Sequence, residues 1–199
     1  MRLYFEDIRE RYNLKVIHIY KKEFDLIKKA CANNREAQYQ LFIKYSPKML
    51  SICRQYIKDI HYAEEVMLNG FLKVFTHLKA YEAKGSFEGW IRRIMINESI
   101  SFLRKRKRWV FVEDESYFTE TVSNHYETQN NVSELQHLVD NLHDDLRIVF
   151  NLYVVEGYKH KEIAKLLHIT ESASRIRFFR ARKQLQAQYV RLKKLKNEK

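Results

Sequence analysis

Trp90, Arg93, Asn97, Ser101 and Arg104 recur at helical spacing and, at 100° per residue, share one side of a helical wheel. The same stretch runs into Arg104-Lys105-Arg106-Lys107-Arg108, five cations in succession. An aromatic ring set among cations and an amide suits single-stranded nucleic acid. The ring stacks on an unpaired base for about 1–3 kcal/mol while Arg and Lys hold phosphates. The wheel also admits a plainer reading, with Trp90 in the core and the basic run as a solvated helix end.

A second group lies near the C-terminus. Glu156-Gly157-Tyr158-Lys159-His160-Lys161-Glu162-Ile163-Ala164-Lys165-Leu166-Leu167-His168-Ile169-Thr170-Glu171 reads as a short helix, a tight turn and the start of a long basic helix. Ile163, Ala164 and Leu167 form the buried side of the short helix, and small Ala164 permits close approach. That is the pattern of a helix-turn-helix, whose second helix enters the major groove of duplex DNA. On that second helix Ser174, Phe178, Ala181 and Leu185 share a core face. Ser172, Ala173, Ile176, Arg180 and Lys183 lie opposite, flanked by Arg175 and Arg177. Residues 147–199 carry 14 Lys/Arg against 4 acids, which favours a polyanionic partner over a merely structural helix pair.

A third group is apolar. Met67, Phe71, Val74 and Leu78 make one helical stripe suited to a core, whereas Glu65, Leu68, Asn69 and Leu72 cluster opposite. Two leucines and a carboxylate away from the core suggest a partner surface. Packing of Leu68 and Leu72 against residues 1–22 or a neighbouring helix is the alternative. No carboxylate cluster, metal-ligand spacing or nucleophile–base pair points to an enzyme, and no cofactor or metal is expected. Cys31 and Cys53 sit in apolar helical patterns and read as buried thiols without a disulfide.

These residues need helices to hold them, and composition favours helices. In 199 residues there are only 4 Gly and 1 Pro, too few for a chain rich in sheet hairpins or glycine phosphate loops. The net charge is +12, so nucleic acid or an anionic membrane is the natural partner class. No apolar run approaches the roughly 18–20 residues needed to span a bilayer, and the charged start at Met1-Arg2 lacks a signal-peptide core. A cytoplasmic protein is therefore expected.

The expected fold is all-α, with two small helical domains. Residues 1–22 are an extension of unclear pattern. Residues 23–108 form the first domain, with a break or kink predicted at Ser46-Pro47 and Ser86 as N-cap of its long fourth helix. Residues 109–132 hold five acids and no Lys or Arg, and read as an acidic linker. Residues 133–199 form the second domain, with helices at about 134–142, 145–155, 160–167 and 171–190. Ser133 and Gln136 match a capping box, Asp144 and Thr170 are predicted N-caps, and Gly157 suits a left-handed helix stop.

The chain resembles the extracytoplasmic-function subfamily of bacterial RNA polymerase sigma factors. Residues 63–75, the Gly85-Ser86-Phe87-Glu88-Gly89-Trp90 stretch through Asn97, and Leu103-Arg104-Lys105 resemble the family's second domain. Leu146-Arg147-Ile148-Val149-Phe150, the Glu156–Ala164 stretch and Arg180–Leu185 resemble its fourth. The resemblance implies that Glu65, Leu68, Asn69 and Leu72 bind core RNA polymerase. It implies that Lys84, Trp90, Arg93, Asn97, Arg104 and Lys105 bind the melted minus-ten strand. Ser172, Arg175, Ile176, Arg177, Arg180 and Lys183 would bind the minus-thirty-five duplex, with Arg175, Ile176, Arg177 and Arg180 toward the bases and Lys183 on phosphate. Promoter DNA, core polymerase and an anti-sigma factor are the implied partners, with no stable membrane insertion and no activity as an enzyme. The sequence departs from the family's usual Asp-x-x-Gln-Glu at Glu65, Leu68 and Asn69. A helix-turn-helix regulator that binds duplex operators without polymerase is the second reading.

Overall fold

The structure is a computed structural model that describes residues 22–106 and 137–197. It is helical, with no strand among the described residues. Two compact units are present. Among the described residues, one takes 22–53 together with His61–Glu98, and the other takes Arg54–Ile60 together with 99–106 and 137–197.

In the N-terminal half, α1 covers residues 22–31, α2 Arg35–Tyr56 and α3 Ile60–Thr76. A 3-10 turn at Leu78–Ala80 and a loop lead to α4, Phe87–Arg106. The helix break predicted at Ser46-Pro47 does not occur, because α2 runs through Pro47. A helix-interior proline costs about 3 kcal/mol. Here Leu41, Tyr45, Met49, Ile52 and Cys53 are buried on both sides of it, and their packing outweighs that cost. The predicted N-cap of α4 is present, with Gly89 N donating to Ser86 Oγ at 3.1 Å.

The stripe on α3 is buried as its periodicity predicts: Met67, Phe71, Val74 and Leu78 all lie in the core. Gly70 sits among them, where α4 crosses closely. A Cβ built there would lie 2.4 Å from Met95 Sδ, so any larger residue forces Met95 to repack. On α4 itself Ile91 and Met95 are fully buried. Cys53 is buried and Cys31 half-buried, and neither is disulfide-bonded.

In the second unit residues 137–140 are helical, followed by α5 (Asp144–Phe150), α6 (His160–Leu167) and α7 (Glu171–Asn197). Asn151–Val155 continues α5 as a π-helical segment. The N-cap of α5 is His143 rather than Asp144, which is instead the first helical residue. An acid there still faces the positive helix end, and Asp144 also pairs with Arg147 at 3.1 Å. Gly157 has φ +73°, as a left-handed stop requires. Thr170 caps α7 as predicted, accepting from Ala173 N at 3.1 Å. Ile148, Val149, Leu152, Ile163, Leu167 and Ala181 make the core.

The turn of the helix-turn-helix holds a residue that periodicity does not flag. His168 has φ +55° and ψ +44°, left-handed conformation in a non-glycine residue. That conformation costs roughly 1–2 kcal/mol for an L-residue with a Cβ. His168→Gly is therefore expected to raise stability by about 1 kcal/mol in urea unfolding. A fall in the midpoint would mean that the imidazole makes a compensating contact.

Residues 1–21, the acidic stretch 109–132, the Ser133/Gln136 capping box and Lys107-Arg108 lie outside the described residues. None of the described helices is long and apolar enough to cross a membrane.

Candidate nucleic-acid interface

The loop before α4 and the first turns of that helix form an aromatic array. Phe87 is buried and stacks against Trp90 at 5.7 Å between ring centroids. Tyr81 lies 5.1 Å from Phe87 and 5.6 Å from Trp90, and its hydroxyl donates to Gly85 O at 2.6 Å, closing the loop. Tyr45 of α2 reaches Phe87 at 5.6 Å and donates its hydroxyl to the Glu23 carboxylate, which also takes Lys44 Nζ at 2.6 Å. Burial would raise the Glu23 carboxyl, but the Lys44 and Tyr45 hydrogen bonds outweigh it and hold it below its usual value. These contacts hold the ring of Trp90 from the Phe87 and Tyr81 side and leave the residue half-buried.

Trp90 also lines a cleft between α3 and α4. Lys73, His77, Ala80, Trp90, Ile94, Asn97 and Glu98 line about 290 Å³, the lower end of small-ligand clefts. On α4 the lining residues follow at i, i+4, i+7 and i+8, the same-face spacing of a helix. Lys73 Nζ bonds Glu98 Oε1 at 2.6 Å. His77 Nδ1 is 3.0 Å from Lys73 O. Only Trp90 and Asn97 of this lining carry a sequence signal; the α3 side requires the two helices to be brought together. Arg93, Arg104 and Lys105 are exposed along α4. Lys84, in the preceding loop, is exposed and paired with Glu82 at 2.5 Å.

On α3, Glu65 and Asn69 are exposed, and Leu68 and Leu72 retain 53% and 64% of their surface. The wheel places all four away from the core, and the structure agrees. Leucines this bare gain nothing from solvent.

On α7, Ser172, Arg175, Ile176, Arg180 and Lys183 are exposed. Arg175 is drawn back to Glu171 at 2.6 Å. Ser174 is buried and bonds His160 Nδ1 at 3.0 Å, tying α7 to α6. Arg177 departs from the outward projection that its wheel position suggests. Its side chain is only 17% exposed and its Nε lies 3.7 Å from Asp145 Oδ2. Burial would raise the Asp145 carboxyl, but His143 and Arg177 together hold it below its usual value. Arg177→Ala is expected to cost about 1–2 kcal/mol of stability while leaving sequence preference unchanged. Urea unfolding beside binding-site selection separates the two; an altered preference at full stability would return Arg177 to the DNA-reading set.

The two blocks match known families in chain order. Residues 41–109 match the family model described as Sigma-70 region 2, and residues 133–185 match Sigma-70, region 4. The chain belongs to the sigma-70 family. Several of its curated relatives carry the extracytoplasmic-function (ECF) label. The chain is 27% identical over 137 residues to the ECF RNA polymerase sigma factor SigM of Bacillus subtilis, covering 67% of this chain and 83% of that protein. It is 25% identical over 176 residues to the ECF RNA polymerase sigma-E factor of Haemophilus influenzae, covering 81% and 92%. Among solved structures it is similar to the sigma factor RpoE of Bartonella quintana, determined in complex with the anti-sigma factor NepR. That match has a TM-score of 0.48 and 21% identity, and covers 75% of this chain and 94% of that one.

This sigma factor is thus a bacterial ECF-type promoter-specificity subunit. A stand-alone operator-binding regulator is not favoured, since region 2 accompanies the helix-turn-helix.

Proposed function

We propose that the three surfaces divide the work of promoter recognition among them. The α3 face of Glu65, Leu68, Asn69 and Leu72 docks on core RNA polymerase. Trp90, Arg93 and Asn97, with Lys84, Arg104 and Lys105, hold the unpaired minus-ten strand. Ser172, Arg175, Ile176, Arg180 and Lys183 bind the minus-thirty-five duplex, with Arg175, Ile176 and Arg180 at base edges, Lys183 at phosphate, and Arg177 as a structural support for their helix. The working domains are residues 23–108 and 133–199, joined by 109–132. The chain acts in the cytoplasm, catalyses nothing by itself and is held in check by an anti-sigma partner.

The observation that carries this reading is the cleft beside Trp90. A duplex reader has no use for a half-buried indole at the mouth of a cleft. A single-strand binder uses it as a stacking wall, with Asn97 to hydrogen-bond a base edge and nearby cations for phosphate. At α7, an exposed Ile packs on a thymine methyl and an arginine bonds guanine, each discriminating by about 1–3 kcal/mol. Arg175 must leave Glu171 to do so.

Co-purification with core polymerase, followed by footprinting of promoter melting, tests the whole assignment. Stable association and an opened minus-ten region are expected. Duplex binding without association would restore the operator-regulator reading.

A further inference from the structure

The region 4 match stops at residue 185, yet α7 continues unbroken to Asn197. The additional 12 residues lengthen the helix by about 18 Å. Between Ser172 and Asn197 the sequence holds nine Lys/Arg and no acid. A solvated helix end made only for solubility would mix signs, so this single-sign run needs a partner.

The cations are ordered as well as numerous. Ile176, Arg180, Lys183, Ala187, Arg191 and Lys194 follow at spacings of four, three, four, four and three, which keeps them on one side of the helix. Arg180, Lys183, Arg191 and Lys194 are all exposed, and none is in an ion pair among the described residues. The opposite side carries Ala181, buried, with Leu185 and Leu192 half-buried, so the stripe faces away from the unit's own core. Lys193 lies off the stripe, 5.1 Å over the Tyr189 ring.

We infer that Arg191 and Lys194 form an additional DNA-backbone site that prolongs the interface past the base-reading residues. The inference rests on the minus-thirty-five reading of α7 proposed above. Ser172 to Lys183 spans about 17 Å of helix, already more than the roughly 12 Å width of the major groove. Arg191 and Lys194 lie about 28 and 33 Å along the axis from Ser172, past the far wall of that groove, where base edges are out of reach and only the phosphates of flanking duplex remain to be met. Cations there set register and affinity and carry no sequence information. An anionic membrane is the weaker match, because an interfacial helix needs a continuous free apolar face: Leu185 and Leu192 turn toward the unit, and exposed Ile176, Phe179 and Val190 stand singly beside the stripe's cations.

The double variant R191Q/K194Q in the full chain tests this. Glutamine keeps helix propensity and length while removing both charges. Binding to a promoter duplex is measured across a salt series, with a random duplex of equal length in parallel. Each lost phosphate contact lowers the log–log salt slope by about 0.9, so the variant should show a slope shallower by about 2. It should bind both duplexes more weakly by the same factor and select the parent's consensus from a random pool. Trimming the duplex beyond the recognition sequence should erase the difference between variant and parent. An unchanged slope overturns the proposal, as does a changed consensus, or a loss seen only in co-sedimentation with phosphatidylglycerol vesicles run beside the duplexes. If the parent chain itself prefers no sequence, the base-reading assignment fails, and the slope difference still judges the extension.

Discussion

Leu72→Asp is expected to leave the fold intact and to weaken association with core polymerase by at least about 100-fold. Leu72 is 64% exposed in the isolated chain, so its replacement removes no packing from α3. At an interface the balance reverses. Burying a leucine contributes about 1.5–3 kcal/mol, and an unpaired carboxylate in its place adds a desolvation cost of its own. Together they exceed the roughly 2.7 kcal/mol of a 100-fold change. Leu68, one turn earlier and 53% exposed, should behave alike. Glu65 and Asn69 lie at the rim, where exposed charges contribute less. The measurements are co-purification with core polymerase and thermal unfolding of the free variant. Retained co-purification removes this face from the polymerase interface. A large loss of stability would mean that a part of the chain such as residues 1–21 covers the leucines, and that polymerase must displace it.

That face was legible because a wheel needs only one helix. Met67, Phe71, Val74 and Leu78 repeat at the period of the helix, and everything opposite them had to be outside. The same logic found Thr170, Ser86 and Gly157, whose signals are local capping chemistry. It failed where a second element decides the outcome. Pro47 reads as a break in isolation, but core packing along α2 carries the helix through it. Arg177 reads as a DNA-facing cation, yet Asp145, 32 positions earlier, takes it in. His168 carries no turn signal of its own, because glycine is what sequence rules look for at a left-handed stop. The Asn151–Val155 π-helical segment has no local signature at all. The cleft beside Trp90 was half visible: Trp90 and Asn97 share a wheel face, but Lys73, His77 and Ala80 join them only once α3 meets α4 at Gly70.

That cleft is also where the wheel left two readings of Trp90 open, and the geometry combines them. The indole packs on Phe87 and Tyr81, and the same residue lines the cleft. Trp90→Ala should therefore lose a stacking partner worth about 1–3 kcal/mol to an unpaired base, a drop of about 5- to 150-fold in promoter opening. Duplex binding at minus-thirty-five should stay within about twofold, because no base is unpaired there and the α7 face is untouched. Some stability is lost too, since the Phe87 and Tyr81 contacts go with the ring. Trp90→Phe separates the two effects: it keeps an aromatic face, and should recover most of the opening. Asn97→Ala supplies the independent arm, because Asn97 is exposed and its removal costs the fold little. It should reduce opening on promoters with the preferred minus-ten base while leaving unfolding unchanged. Permanganate reactivity of minus-ten thymines in the polymerase complex reads opening directly, and a gel shift on a short duplex reads the other domain. Equal losses in both assays for Trp90→Ala, with Asn97→Ala silent, would make the indole a core residue and leave the cleft without a base to hold.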